Sequence, residues 1–168
     1  PENVRSAIKV LQKAGYFPFI PTLENSRKIL CCGRTYLTNG LTNHAKNEVL
    51  NILETYKPYL KNGISIVGLE PSCILSFRDE IPNLIRNEET DYLKNNSYTF
   101  EELLSKHSEE LKFKNLTKKV LLHGHCHQKA FDVVKPIENI LKNIRGAKFE
   151  TIETSCCGMA GSFGYDTD

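Results

Sequence analysis

Two stretches of this chain, VLQKAGYFPFI…CCGRTYLTNG beginning at Val10 and ILKNIRGAKFETIETSCCGMAGSFG beginning at Ile140, follow a single plan. Each passes from the end of a helical pattern to a glycine, through a strand-like run and a short connection, to Cys-Cys-Gly. Small residues that open another helix come next. Self-similarity of this kind marks one supersecondary unit used twice, and it restricts the architecture more than composition can. The expectation is two pseudo-symmetric lobes, residues 1–90 and 91–168, with the polar stretch RNEETDYLKNNSYT at residues 86–99 between the repeats. The start has no initiator Met and the end, GSFGYDTD, stops in mid-pattern. The chain therefore reads as a piece of a longer one, with the second lobe cut short at its C-terminal end.

The remaining pattern supplies the elements. Val4, Ala7, Ile8, Leu11 and Ala14 recur at helical spacing, so residues 3–14 form an amphipathic helix with Gly15 as its stop. YFPFI reads as a short buried strand. Leu37, Leu41, Ala45, Val49, Ile52 and Tyr56 fall on one face of a single long helix. ISIVGL is a continuous apolar strand of the kind found inside parallel sheets. CILSFRDEI is helical with Ser72 as its N-cap, and SYTFEELLSKHSEEL is helical with Thr99 and Glu102 spaced as a capping box. KKVLLHG and KFETI are strands, separated by a helix on Ile137, Ile140, Leu141 and Ile144 that ends near Gly146. Strands alternating with helices imply an α/β fold with mostly parallel sheets flanked by helices.

Composition excludes several classes. The 168 residues carry 22 Lys and Arg against 20 Asp and Glu, well interspersed, so no basic stripe points to nucleic acid. No apolar run approaches the roughly 18 residues that a membrane helix needs, and the N-terminus is amphipathic instead of signal-like. A domain of this size buries roughly 70% of the surface its unfolded chain exposes, so a core forms without staples. The six cysteines are therefore read as reduced thiols for metal or redox use in a cytoplasmic setting, ahead of a disulfide scaffold.

Cys31 and Cys32, Cys73, Cys126, and Cys156 and Cys157 each stand at a strand-to-helix turn in this reading. A thiol there meets the partly positive start of a helix, which favours the thiolate, the form that binds metal and attacks electrophiles. Gly33 and Gly158 allow positive φ and a close approach of backbone to a bulky group. There is no Cys-x-x-Cys knuckle of the zinc-finger type. Adjacent thiolates with a distant third suit a polynuclear iron–sulfur cluster, because neighbouring sulfurs can reach different irons. By repeat, the thiols group as Cys31, Cys32 and Cys73, and as Cys126, Cys156 and Cys157.

The segments CCGRTYLTNGL, GLEPSCILSFRDE, HGHCHQKAF and CCGMAGSFGY, in this order, resemble the cysteine-rich CCG domain family. That domain occurs in one of the subunits of heterodisulfide reductase and in iron–sulfur subunits of glycolate, lactate and glycerol-3-phosphate oxidases. The nearest likeness is to the C-terminal iron–sulfur module of bacterial proteins that fuse it to an FAD-linked 2-hydroxy-acid oxidase. The resemblance implies an electron-transfer module of the glycolate/lactate type, passing electrons from flavin toward a quinone or other acceptor. It implies a [4Fe–4S]-type centre, with FAD on a missing domain or partner, and a cytoplasmic location that extends to the inner face of the membrane. Carried onto this chain, it makes Cys126, Cys156 and Cys157 ligands of the second-repeat site, whose closing cysteine falls beyond Asp168. Cys31, Cys32 and Cys73 match the first-repeat site, whose opening cysteine falls before Pro1. The family often has Cys-x-x-Cys where this chain has Cys73-Ile74-Leu75-Ser76, so a structural first site competes with a cluster there.

Plainer readings stand beside these. His127 and His125 flank Cys126 and are candidate ligands or hydrogen-bond donors, with His123 a weaker candidate. Zinc takes Cys and His together, so zinc at Cys126, Cys156 and Cys157 with a histidine, in a docking domain without redox activity, is the alternative function. A third class is thiol catalysis by Cys126 with a histidine as base. Glu70 and Arg78 read as a structural pair, and His44 and His107 as packed or solvated side chains. No flavin or substrate motif is visible, and no turnover is expected from these residues alone.

Overall fold

The computed structural model describes residues 2–21, 29–108 and 111–158. In chain order they form α1 (Glu2–Lys13), α2 (Arg34–Thr38), α3 (Thr42–Leu60), β1 (Ile66–Gly68), α4 (Pro71–Ser76), α5 (Glu80–Leu84) and α6 (Glu88–Asn96). Then come β2 (Ser97–Thr99), α7 (Phe100–Ser105), β3 (Lys119–Leu122), α8 (Cys126–Ala130), α9 (Lys135–Lys142) and β4 (Lys148–Thr151). The chain is mixed α/β. The strands among the described residues form two two-stranded sheets, β1 with β2 and β3 with β4. The chain divides into two compact units, one built on residues 20–98 and the other on residues 1–19 with 99–157. Cys31, Cys32 and Cys73 fall in the first of these units, and Cys126, Cys156 and Cys157 in the second. No helix among the described residues is long and apolar enough to cross a membrane.

In the unit of residues 20–98, α3 is the spine. Ala45, Val49, Ile52, Leu53 and Leu60 repeat along one face and are buried. The α2 and α6 helices pack on α3. The single long helix expected from Leu37 onward is broken at Asn39–Leu41, where Gly40 adopts φ 72°. A glycine at positive φ closes a right-handed helix, and the amide of Gly40 returns to the Leu37 carbonyl at 3.0 Å. Apolar periodicity runs through this turn, but α2 buries no residue fully and Leu41 is exposed; α2 instead packs against α3 itself. The polar stretch at residues 86–99 is mostly α6. Asn87 and Thr90 form a reciprocal capping box at its start, and Thr90 and Leu93 are buried. An ion pair from Lys57 to Glu89 joins α3 to α6.

The α4 helix starts two residues earlier than expected. Its N-cap is Glu70, whose carboxylate accepts the Ser72 amide at 3.0 Å; Pro71, which has no amide to satisfy, occupies the first turn. Ser72 lies inside the helix. Gly68 lets β1 run directly beneath α4, since a β-carbon there would lie 2.3 Å from that of Ile74.

In the other unit, β3 and β4 pair in parallel with Val120 opposite Phe149 and Leu121 opposite Glu150. Exposure alternates along both strands, so one face of this small sheet is wet and the other is half-buried. The Thr99–Glu102 capping box is present in both directions: the Glu102 amide donates to Thr99 at 3.2 Å and the Thr99 amide to the Glu102 carboxylate at 2.9 Å. The α7 helix ends at Ser105, and Glu109 and Glu110 of the expected longer helix lie outside the described residues. It packs on α9. The Tyr16 hydroxyl donates to the Leu103 carbonyl at 3.1 Å and ties the segment after α1 to α7. YFPFI is not a strand. Phe17 is 96% exposed, and Pro18 lacks an amide for a ladder, so β-propensity had no neighbour to pair with.

Candidate functional site

The first-repeat thiols are half-buried and free. Cys32 sits immediately before Gly33, the N-cap of α2, and Cys73 lies in the first turn of α4. Their sulfurs are 3.2 Å apart and hydrogen-bonded. This contact is the main reason the Cys32 thiol is pulled down to about 6, against the opposing effect of burial; the Arg34 and Cys32 amides and the Arg34 charge assist. Cys73 is pushed up by the same contact, by burial and by the negative charge of Cys32, so the shared proton rests on Cys73. Cys31 turns elsewhere, its sulfur accepting the Gly33 amide at 3.4 Å.

Gly33 holds this arrangement. It adopts φ 76°, and a β-carbon there would meet the Ala45 carbonyl of α3 at 3.1 Å. The expected positive φ at Gly33 and Gly158 is present, at 76° and 87°. No strand precedes Cys31 among the described residues, whereas Cys73, Cys126 and Cys156 follow β1, β3 and β4 within five residues. The helix expected after Gly158 lies outside the described residues.

At the second repeat, His125, Cys126 and His127 are the one group of three or more metal-ligating side chains whose ligand atoms, among the described residues, lie within 4.8 Å of one another. The Cys126 sulfur is 3.5 Å from His127 Nδ1 and 3.8 Å from His125 Nδ1, and the two rings stack at 5.2 Å. His125 has a second task. It is the N-cap of α8, its Nδ1 accepting the His127 amide at 3.2 Å while the Gln128 side chain accepts the His125 amide at 3.1 Å. An Nδ1 engaged in the cap would have to release it to bind a metal. Cys156 and Cys157 are exposed and stand outside that group.

The turn that carries Cys156 is nevertheless fastened to the same elements. Lys129 of α8 donates to the Thr154 carbonyl at 2.6 Å and the Ser155 carbonyl at 3.4 Å. His123 and the Thr154 hydroxyl share a hydrogen bond of 2.8 Å. Sequence reasoning passed over Lys129 and Thr154. Their only signal was position, one turn into α8 and two residues before the cysteine pair. His123 acts as a tether for that turn. His44 packs against Tyr36 with the rings tilted, centroids 5.5 Å apart, and His107 meets Tyr16 edge-on at 5.9 Å, so both have packing roles. Glu70 acts as a helix cap.

The donor chemistry fits a thiolate-bound metal group: three cysteine sulfurs in each repeat, with imidazole beside one of them. Fold and site thus define a mixed α/β chain that carries repeated thiol sets, with Cys32, Cys73 and Cys126 at the starts of short helices. Its relatives are dehydrogenases. The chain is 26% identical to one subunit of the anaerobic glycerol-3-phosphate dehydrogenase of Escherichia coli K12, over 98% of this chain and 41% of that protein. It is 25% identical to the D-2-hydroxyglutarate dehydrogenase of Haemophilus influenzae, over 97% of this chain and 16% of that protein. The enzyme of that name from Escherichia coli K12 is 24% identical over a similar span. The chain therefore spans less than half the length of these relatives. No family model matches it, and no solved structure does.

Proposed function

We propose that this chain is the iron–sulfur electron-transfer module of a flavin-linked dehydrogenase that oxidises a 2-hydroxy acid or a similar alcohol. The observation that carries the proposal is that the thiol-bearing chain aligns, end to end, within a dehydrogenase subunit. Removing hydrogen from such an alcohol releases two electrons. A cluster would accept and pass them one at a time toward a quinone or other acceptor. Cys126, Cys156 and Cys157 would hold it in the second repeat, with His127 beside Cys126 and Lys129 fixing the turn before Cys156. Cys31, Cys32 and Cys73 are the matching set in the first repeat, and residues 1–90 and 91–168 the two lobes. The cluster is of the [4Fe–4S] type and FAD belongs to a further domain or partner protein; a glycolate- or lactate-type substrate is the narrower form of the proposal. The setting is cytoplasmic, at the inner membrane face where a quinone is the acceptor.

A second reading, a zinc-stabilised docking domain, is favoured by the mixed sulfur and nitrogen donors of His125, Cys126 and His127. Iron, zinc and acid-labile sulfide, measured on protein purified without air, separate the two. Iron with comparable sulfide, lost in Cys156→Ser, is the expected result. Zinc without sulfide would replace the electron-transfer reading with the docking one.

A further inference from the structure

We propose that Cys32 and Cys73 form a reversible disulfide, making the first repeat a two-electron dithiol switch. The inference concerns residues 20–98 alone and does not need the second-repeat thiols to hold a cluster. Its basis is the separation of the two sulfurs, 3.2 Å. Two thiolates on one tetrahedral zinc, each about 2.3 Å from the metal, stand about 3.8 Å apart, and ligands of different irons stand farther. The pair is closer than metal ligands require, and about 1.2 Å of closure brings it to the bonded distance of roughly 2.05 Å.

The scaffold favours this pairing over others. The elements that flank the two thiols, α2 and α4, are already in contact, and α2 is seated on α3 through Gly33. Closing the bond therefore joins elements already in contact, over about 1.2 Å between the sulfurs. Cys31, adjacent in sequence, is drawn away by the Gly33 amide, which selects Cys32 as the partner. Both sulfurs are only half-buried, so a small oxidant reaches them.

The oxidant is a low-molecular-weight disulfide. The Cys32 thiolate attacks one of its sulfurs, forming a mixed disulfide and releasing one small thiolate. Cys73 loses its proton to solvent and attacks the Cys32 sulfur, forming the Cys32–Cys73 bond and expelling the second small thiolate. Two protein thiols are oxidised by two electrons and one small disulfide becomes two thiols. The bond withdraws two of the three first-repeat thiols from any metal.

The test equilibrates the reduced protein with mixtures of reduced and oxidised glutathione, traps free thiols by alkylation and maps peptides by mass spectrometry. The expected result is loss of two of the six alkylatable thiols together, a Cys32–Cys73 linked peptide, and full recovery with dithiothreitol. In Cys73→Ser the link is absent and Cys32 carries one glutathione instead. Both thiols staying alkylatable in the most oxidising mixture would overturn the proposal. So would a link through Cys31, or iron or zinc that remains on the pair and protects it. Iron and sulfide on Cys156→Ser are read separately, so failure of the cluster reading leaves the link on its own evidence.

Discussion

Replacing Gly33 by alanine tests the geometry that seats α2 and aims Cys32. Two costs arise there and can be separated. At φ 76° an L-residue is strained by about 1–2 kcal/mol, partly offset by the roughly 0.4–1 kcal/mol gained when alanine restricts the unfolded chain. The new β-carbon would also press on the Ala45 carbonyl at 3.1 Å, and Ala45 is wholly buried in α3. A backbone group in a packed helix yields little, and overpacking of this kind costs about 1–3 kcal/mol. Gly63 supplies the control: it has φ 71° and nothing within 4 Å of its added β-carbon. We expect Gly63→Ala to cost about 0.5–1 kcal/mol and Gly33→Ala about 2–3 kcal/mol, from the strain and contact terms above. With a urea slope of about 1–3 kcal/mol/M, the two unfolding midpoints should differ by about 1 M, with far-ultraviolet circular dichroism as the readout. A Gly33→Ala midpoint equal to or above that of Gly63→Ala would refute the close packing of α2 on α3.

Loss of the capping box at α7 should be visible in the same assay: Thr99→Ala should cost about 1 kcal/mol, whereas Thr99→Ser, which keeps the hydroxyl, should cost much less. Alkylation of Cys32 by iodoacetamide should rise with pH and reach half its limiting rate near pH 6, because the thiolate reacts and the folded thiol lies at about 6. Cys73, pushed up, should stay slow across that range. Cys73→Ala removes the hydrogen bond that holds Cys32 down, so its half-rate pH should move up toward the ordinary thiol range. An unchanged Cys32 profile in that variant would contradict the shared proton.

The amino-acid sequence by itself determined whatever depends on neighbours along the chain. The stripe of α1, the helix α9 and the reciprocal caps of Thr99 and Glu102 are local, and each was legible. So were the left-handed glycines beside the cysteine pairs, because Cys-Cys-Gly before a helix calls for that backbone. Tertiary structure decided the rest. Residues 86–99 look like a linker until Thr90 and Leu93 are buried and α6 packs on α3. YFPFI has the composition of a strand, but a strand exists only where another backbone pairs with it. Periodicity carried one helix across Gly40, since apolar spacing does not record a break between two helices that pack on each other. Partner choice among the thiols was the least legible. Cys31 and Cys32 are adjacent in sequence, yet in the fold one sulfur meets Cys73 and the other the Gly33 amide. Contacts between residues distant in sequence follow from how packed elements exclude volume, and that constraint acts only once the chain is folded.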